Sequence, residues 1–146
     1  MLDHGVNFFD TAEMYGAGNA EKQMGKAFKE IGVNRKDIII STKIFWETSA
    51  SDPNKGPNSS GLSRAKIVNS VKNCLERLQT DYVDVLFCHR FDYDTPLVDI
   101  CKSMSWVVDQ GYAHYWGTST WPSDMISAAI EICRANKWNE PVAEQP

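Results

Sequence analysis

The stretch SRAKIVNSVKNCLERLQTDYVDVLFCHR, residues 63–90, combines a helix signal with a strand signal. Ser63 is a typical helix N-cap, and the apolar residues after it recur at helical spacing, namely Ile67, Val68, Val71, Leu75 and Leu78. The segment YVDVLFCHR (82–90) is apolar for most of its length and ends on His89 and Arg90. The stretch therefore predicts a helix that leads into a buried strand whose end carries polar groups.

The same alternation extends along the whole chain. Strands are predicted at 5–10, 37–45, 82–90, 113–120 and 141–145, and helices at 19–31, 63–78, 96–111 and 123–136. In the first helix, Ala20, Met24, Ala27, Phe28 and Ile31 recur at helical spacing. The stretch 47–61, rich in small polar residues and chain breakers, is predicted to be a loop. Alternating strands and helices indicate a parallel sheet covered by helices, either an open doubly wound sheet or a closed (β/α)8 barrel.

Composition restricts the function classes. The 146 residues are 42% hydrophobic and 23% charged, which is typical of one soluble globular domain. Net charge is −4 and the basic residues are scattered, so a nucleic-acid partner is not expected. Neither an apolar run of the ~20 residues that span a bilayer nor a signal peptide is recognisable. We therefore predict a cytoplasmic protein without membrane insertion.

The four cysteines do not suggest a site. Cys74, Cys88, Cys101 and Cys133 are far apart in the chain and lack the spacing of a zinc site. Reduced, buried thiols are the favoured interpretation, and no metal is expected.

Four consecutive predicted strands end on reactive or hydrogen-bonding groups. The first ends at Asp10 with Tyr15 nearby, the second carries Lys43, the third ends at His89 and Arg90, and the fourth at Thr118 and Ser119. Each residue alone has an ordinary structural explanation, such as a turn cap for Asp10 or a satisfied core position for His89. Because a parallel sheet brings all these strand ends to one rim, a ligand site is predicted there.

Proton delivery to an oxygen is the chemistry that such a rim offers. A tyrosine hydroxyl is a reluctant acid at neutral pH, but a nearby ammonium favours the phenolate, and a carboxylate keeps that ammonium charged and positioned. A histidine can donate a hydrogen bond to the same oxygen. This set suits reduction of a carbonyl, with the hydride arriving from elsewhere.

Two other arrangements for hydride chemistry fit the sequence poorly. The segment GAGNAE (16–21) has a Gly-x-Gly but no third glycine at the Rossmann spacing, so we interpret it as a strand-to-helix turn. None of the tyrosines has a lysine four residues later, which a short-chain dehydrogenase would require.

Four long motifs resemble the aldo-keto reductases. GVNFFDTAEMYG (5–16) resembles that family's signature around its catalytic Asp and Tyr, and ISTKIFW (40–46) its lysine strand. The segments GLSRAKIVNSVKNCLERLQTDYVDVLFCHRFDYDTPL (61–97) and QGYAHYWGTSTW (110–121) are similar to the branch of the voltage-gated potassium channel beta subunits and their plant and fungal relatives. The resemblance implies a (β/α)8 TIM barrel, NADPH as hydride donor and a small aldehyde or ketone as substrate.

Residue roles follow from the resemblance. Asp10, Tyr15, Lys43 and His89 match the catalytic tetrad, in which Tyr15 is the general acid, Lys43 assists it, Asp10 holds the lysine and His89 orients the carbonyl. Asp10, Ser119 and Gln145 match cofactor-binding positions, and Trp46 matches an aromatic at the mouth of the substrate pocket. His89 agrees with the plant and fungal relatives, whereas animal channel subunits have Asn there. Thr120 stands where the animal subunits have an Arg in the cofactor site.

Length is the main departure from the family. A full barrel needs ~250 residues, so residues 1–146 are expected to be the N-terminal portion of one barrel domain, about strands 2 to 6, without the first strand and the C-terminal part. The branch implies a homotetramer for the full-length protein. Besides an active reductase, two alternatives stay open: a redox-sensing accessory subunit bound to a potassium channel alpha subunit, and an inactive truncated fragment.

Overall fold

The structure, a computed structural model, describes residues 4–48 and 56–146. Its strands are β1 (Phe8–Asp10), β2 (Ile39–Ile44), β3 (Val83–Cys88), β4 (Ala113–Ser119) and β5 (Glu144–Gln145). Its helices are α1 (Asn19–Ile31), α2 (Arg64–Leu78), α3 (Leu97–Asp109) and α4 (Ser123–Asn136). The predicted alternation is confirmed, and part of the predicted loop at 47–61 lies outside the described residues.

The strands are shorter than predicted. At the start of β2, Arg35–Asp37 forms a 3₁₀ turn because the Asn34 side chain accepts a hydrogen bond from the Lys36 amide. The strand therefore begins at Ile39 rather than at residue 37.

Strand order separates the two architectures that the sequence left open. The described strands are all parallel and lie in the order β1-β2-β3-β4-β5. A doubly wound sheet reverses its order at a switch point, whereas neighbours in a barrel follow the chain. The sheet is also curled, since Gln145 Nε2 on β5 lies 3.5 Å from Asp10 Oδ2 on β1. In a flat sheet these strands would be about 19 Å apart, so the sheet is an arc of a barrel.

Side chains alternate between the two faces of the sheet. One face packs against the helices, where Ile40, Leu86 and Trp116 are almost fully buried in the main core cluster. The other face carries Lys43, Phe87 and the residues in register with them. The core thus lies between the sheet and the helices. The inner face of the curled sheet carries polar side chains near the carboxyl ends of the strands.

Helix α1 differs from its sequence pattern. Its buried residues are Glu21 and Gly25, and Met24 and Phe28 pack partly against the core. Ile31 shares the predicted spacing but is 69% exposed, so the pattern was wrong at this position. Ile31 is the last residue of the helix, on the margin of the stripe that faces α2, and Gly32 ends the helix directly after it. No helix in the described residues combines the length and the apolar character needed to span a bilayer.

Close packing of α1 on α2 depends on Gly25. A Cβ at this position would lie 2.3 Å from the carbonyl oxygen of Leu78 and 2.5 Å from its carbonyl carbon. Both are backbone atoms, so the contact cannot be relieved by a side-chain rotation.

We expect Gly25→Ala to destabilise the protein by about 1–3 kcal/mol, the usual cost of overpacking. Urea unfolding of the complete gene product measures the free-energy change. Gln23→Ala, at an exposed position of the same helix, is the control and should change stability little. Equal stability of the Gly25→Ala variant and the parent would contradict the packing argument.

Candidate active site

Polar residues from five strands meet at the rim formed by the strand carboxyl ends. Register places Asp10 beside Ser41, Lys43 beside Phe87, and Ser119 beside Gln145. His89 follows β3 directly, and its amide still donates to the Ile44 carbonyl over 2.9 Å. The rim therefore holds the side chains that the sequence assigned to it.

The Lys43 ammonium is compensated although it is buried. Its side chain is only 3% exposed and forms an ion pair with Asp10 Oδ2. Nζ also donates to the Thr11 carbonyl over 2.9 Å, and the Ser41 hydroxyl donates to the second Asp10 oxygen. An unpaired buried ammonium would be costly, so this network fixes Lys43 between β1 and β2.

Tyr15 contacts two of the other predicted catalytic residues. It begins the 3₁₀ segment Tyr15–Gly18, and its ring centroid lies 5.1 Å from Lys43 Nζ. The Tyr15 and His89 rings pack edge to face, with centroids 5.9 Å apart. Tyr15 is 40% exposed, which leaves it accessible from the inside of the curl. The structure thus brings Asp10, Tyr15, Lys43 and His89 together.

His89 is a neutral imidazole at physiological pH. Burial lowers its pKa to about 4, and the nearby positive charges of Lys43 and Arg90 act in the same direction. Its Nδ1 is buried without a hydrogen-bond partner in the described part of the chain. A buried nitrogen without a partner is unfavourable, so His89 is suited to a hydrogen bond with a bound group.

Ser119 and Gln145 lie side by side on β4 and β5. Ser119 is 4% exposed, and the Gln145 amide reaches towards Asp10. A hydroxyl and an amide together can both donate to and accept from a ligand amide. These two residues could therefore bind an amide group of a ligand at this end of the sheet.

Trp46 follows β2 and is 38% exposed. Its ring packs edge to face on Phe45, with centroids 4.7 Å apart, and its carbonyl accepts a hydrogen bond from Lys66 Nζ over 3.1 Å. Packing on Phe45 and the hydrogen bond to its backbone carbonyl hold Trp46 in place, while part of the indole surface stays exposed.

Arg90 and Thr120 meet beside this rim. Arg90 Nη1 donates to the Thr120 hydroxyl over 3.1 Å and to the His89 carbonyl over 2.6 Å. Thr120 has a positive φ of 55°. The resemblance predicted a missing cation at position 120, and the structure places the Arg90 guanidinium from the neighbouring strand end against it.

Two buried ion pairs were missed by the sequence analysis. Glu13 Oε1 lies 3.0 Å from Lys66 Nζ, and Glu21 Oε2 lies 2.6 Å from Arg77 Nε. Both carboxylates are almost completely buried. The partners are far apart in the chain, so no local pattern distinguishes them from solvated charges. A weak signal is that Glu13 and Glu21 flank Tyr15 in the motif TAEMYGAGNAE (11–21).

The four cysteines are free thiols within the fold. All four are buried. Burial raises the pKa of the Cys74 and Cys88 thiols, which keeps them protonated. Within residues 4–48 and 56–146, no group of three or more His, Cys, Asp or Glu side chains is placed to hold a metal ion.

Comparison with known proteins identifies the family of the chain. The profile of the Aldo/keto reductase family matches residues 1–146. The chain belongs to the aldo/keto reductase family. This confirms the family that the sequence motifs indicated.

Two plant proteins are similar to this aldo/keto reductase chain over almost its whole length. An Arabidopsis thaliana protein described as "Probable voltage-gated potassium channel subunit beta" is 49% identical over 144 residues, which cover 99% of this chain and 42% of the relative. An Oryza sativa subsp. japonica protein of the same description is 45% identical, with the same coverage. The chain thus spans less than half the length of these relatives.

A solved structure supports the fold. The crystal structure of a thermostable aldo-keto reductase in complex with the inhibitor epalrestat superposes with a TM-score of 0.80 at 31% identity. The match covers 98% of this chain and 45% of that one. The prediction of a partial (β/α)8 barrel of aldo-keto reductase type is confirmed.

The low pKa of His89 predicts a loss of stability in acid. The unfolded chain binds a proton at histidine below about pH 6.5, whereas folded His89 takes it up only near pH 4. Between these values the unfolded state binds more protons, so stability falls as pH falls. The thermal midpoint should drop more from pH 7.5 to pH 5 in the parent than in His89→Asn. His114→Asn, at the far end of β4, is the control. Equal drops in the parent and His89→Asn would refute the assignment.

Proposed function

We propose that this aldo/keto reductase catalyses NADPH-dependent reduction of aldehydes or ketones at the strand-end rim. The observation that carries the proposal is the group of contacts linking Lys43 to Asp10, Lys43 to the Tyr15 ring, and Tyr15 to His89. Family membership supports an oxidoreductase. The four side chains supply what carbonyl reduction needs from a protein, a proton donor and groups that orient the carbonyl oxygen.

Tyr15 is the general acid in this proposal. Its ring lies against a buried ammonium, and an ammonium favours the phenolate that remains once the proton has moved to the substrate oxygen. Asp10 holds that ammonium in place through the ion pair. The ion pair therefore holds the Lys43 ammonium at a fixed position beside the proposed proton donor.

His89 orients the carbonyl. As a neutral imidazole it carries one N–H donor, and its buried Nδ1 lacks a partner in the described residues. A hydrogen bond from His89 to the substrate oxygen would place that oxygen beside Tyr15. In the proposed tetrad, Tyr15 transfers its proton to the substrate and His89 positions the carbonyl oxygen. The Lys43–Asp10 ion pair supports Tyr15.

Asp10, Ser119 and Gln145 would hold the nicotinamide end of NADPH, whose chemical contribution is the hydride. Ser119 and Gln145 fit the carboxamide because their side chains are neighbours across β4 and β5. Gln145 lies 3.5 Å from Asp10, so the same contact joins the cofactor side of the rim to the Lys43 ion pair. Trp46 would form one wall of the pocket for a small carbonyl substrate.

Residues 1–146 form part of one barrel domain in this proposal, and the complete protein is a cytoplasmic homotetramer. The lengths of the similar plant proteins support the first point, because residues 1–146 correspond to only 42% of them. The closeness to the channel beta subunit branch supports the second.

A non-enzymatic role is the second candidate. Both plant relatives are described as potassium channel beta subunits, so this protein could bind a channel alpha subunit and report redox state through its cofactor. The third candidate is a truncated product without activity, which would also explain why the chain spans only 42% of the plant relatives.

Tyr15→Phe should lower kcat for aldehyde reduction by about 10²- to 10⁴-fold, the usual contribution of a general acid. The measurement is NADPH consumption by the complete gene product with an aromatic aldehyde. NADPH binding, followed by quenching of tryptophan fluorescence, should persist because the ring keeps its contacts. Tyr93→Phe, at an 81% exposed tyrosine, is the matched control and should leave turnover unchanged. Equal rates for Tyr15→Phe and the parent would exclude Tyr15 as the acid.

Channel binding is tested separately by co-purification with the cytoplasmic domain of a voltage-gated potassium channel, against a channel-free control. An accessory subunit is expected to be retained by the channel domain alone, including in the Tyr15→Phe form, since docking does not need the proton donor. Absence of retention would exclude the accessory role and leave the reductase proposal standing.

A further inference from the structure

The segment that follows Tyr15 has an unusual backbone. Gly16, Ala17 and Gly18 have φ values of 57°, 55° and 84°, so three successive residues are left-handed. Ala17 is not a glycine, and the left-handed region is unfavourable for a residue with a Cβ. Such conformations persist where surrounding contacts determine them, and they cluster at functional sites. Contacts outside the segment must therefore hold the Tyr15 loop, residues 11–18.

Glu13 ties the first half of this loop to β2 and α2. Its Oε1 accepts a hydrogen bond from the Phe45 amide over 2.7 Å and pairs with Lys66 Nζ at 3.0 Å. The Glu13 amide donates to the Lys43 carbonyl over 3.0 Å. One residue thus links the Tyr15 loop, the strand that carries Lys43 and helix α2.

Lys66 extends the tie to the backbone of Trp46. Its Nζ donates to the Trp46 carbonyl over 3.1 Å while it pairs with Glu13. Both side chains of the pair are below 10% exposure, at 7% for Lys66 and 2% for Glu13. Removing one partner would leave a buried charge uncompensated, so the loop and the Trp46 backbone are expected to move together.

A second tie lies at the end of the loop. Arg77 pairs with Glu21 in the first part of α1, and a Cβ on Gly18 would meet the Arg77 side chain at 3.0 Å. This pair holds the start of α1 against α2, and Glu21 also accepts a hydrogen bond from the Thr42 hydroxyl on β2 over 2.5 Å. The Glu13–Lys66 pair differs in that it joins the Tyr15 loop to the backbone of Phe45 and Trp46.

We propose that the buried Glu13–Lys66 ion pair is a positioning device that fixes the Tyr15 loop relative to Lys43 and Trp46. Neither residue contacts the substrate in this proposal. They act through the loop backbone and through the Phe45–Trp46 backbone. The catalytic part of this inference rests on the proposed function, whereas the structural part concerns the order of the loop alone.

The opposite end of β2 offers a matched control. Asp84 Oδ2 accepts a hydrogen bond from the Ile40 amide over 2.8 Å and pairs with Arg35 Nη2 at 2.6 Å. The connectivity resembles that of Glu13, since in both cases a carboxylate binds a backbone amide at one end of β2 and a cation from another element. Asp84→Asn therefore removes a carboxylate with similar partners far from the rim, in a pair that is more exposed, at 23% for Arg35 and 21% for Asp84.

The test compares Glu13→Gln, Lys66→Met and the double variant with Asp84→Asn in the complete gene product. Hydrogen exchange by mass spectrometry follows a peptide covering residues 11–18. The Tyr15 and Ala17 amides are bonded to the Ala12 and Met14 carbonyls over 3.1 and 3.0 Å, so they report loop order. The double variant leaves no unpaired charge and so remains foldable if a single variant does not.

We expect exchange in this peptide to rise at least tenfold in the Glu13 and Lys66 variants and to stay at the parental rate in Asp84→Asn. With NADPH and an aldehyde, kcat should fall at least tenfold in Glu13→Gln with the KM for NADPH within twofold. Asp84→Asn should keep kcat within twofold even at a similar loss of thermal stability.

Parental exchange in all Glu13 and Lys66 variants, or an equal rise in Asp84→Asn, would overturn the inference. Faster exchange with an unchanged kcat would overturn its catalytic part. If the parent itself does not reduce carbonyls, the proposed function fails, and the exchange rates still decide whether the pair fixes the loop.

Discussion

The buried ammonium of Lys43 requires an opposite charge and hydrogen-bond acceptors, and the residues around it on the rim must supply them. Removing a lysine charge from water is costly unless an opposite charge and acceptors replace the solvent. Here the side chain is 3% exposed, and Asp10 and the Thr11 carbonyl replace that water. Both come from the end of β1, so β1 must lie beside β2 in the register that pairs Asp10 with Ser41. Tyr15 follows a few residues later and is thereby carried over the same ammonium.

The electrostatics of the rim follow from that requirement. A buried imidazole close to Lys43 and Arg90 is disfavoured as a cation, which explains the lowered pKa of His89. The neighbouring Asp10 carboxylate acts in the opposite direction but is already engaged by Lys43 and Ser41. His89 is therefore a neutral imidazole, which can form hydrogen bonds but carries no charge. Burial together with the charges of Lys43 and Arg90 thus keeps His89 uncharged beside Tyr15.

Much of this arrangement could be predicted from the sequence because it depends on local periodicity. The alternation of strands and helices, and the polar residues at strand ends, are visible in short windows. Barrel curvature is not local: it rests on contacts such as Gln145 with Asp10, at opposite ends of the described sheet. The burial of Glu13 and Glu21 is equally hidden, because their partners Lys66 and Arg77 lie on a helix much later in the chain. Ile31 shows the reverse error, since correct spacing does not ensure burial in the last turn of a helix.

A carboxylate–cation pair lies at each end of strand β2, and the two pairs join different parts of the structure. At the lower end, Asp84 binds the Ile40 amide and Arg35, whose guanidinium stacks 4.0 Å from the Tyr82 ring centroid. These groups join segments that only build the barrel. At the upper end, Glu13 binds the Phe45 amide and Lys66, and the segments joined there carry Tyr15 and Trp46. In (β/α)8 barrels the active site lies at the face formed by the carboxyl ends of the strands, and residues at the face formed by their N-terminal ends serve stability. A carboxylate–cation pair thus joins barrel segments at one end of β2, and at the other end a second pair joins the Tyr15 loop to the backbone of Phe45 and Trp46.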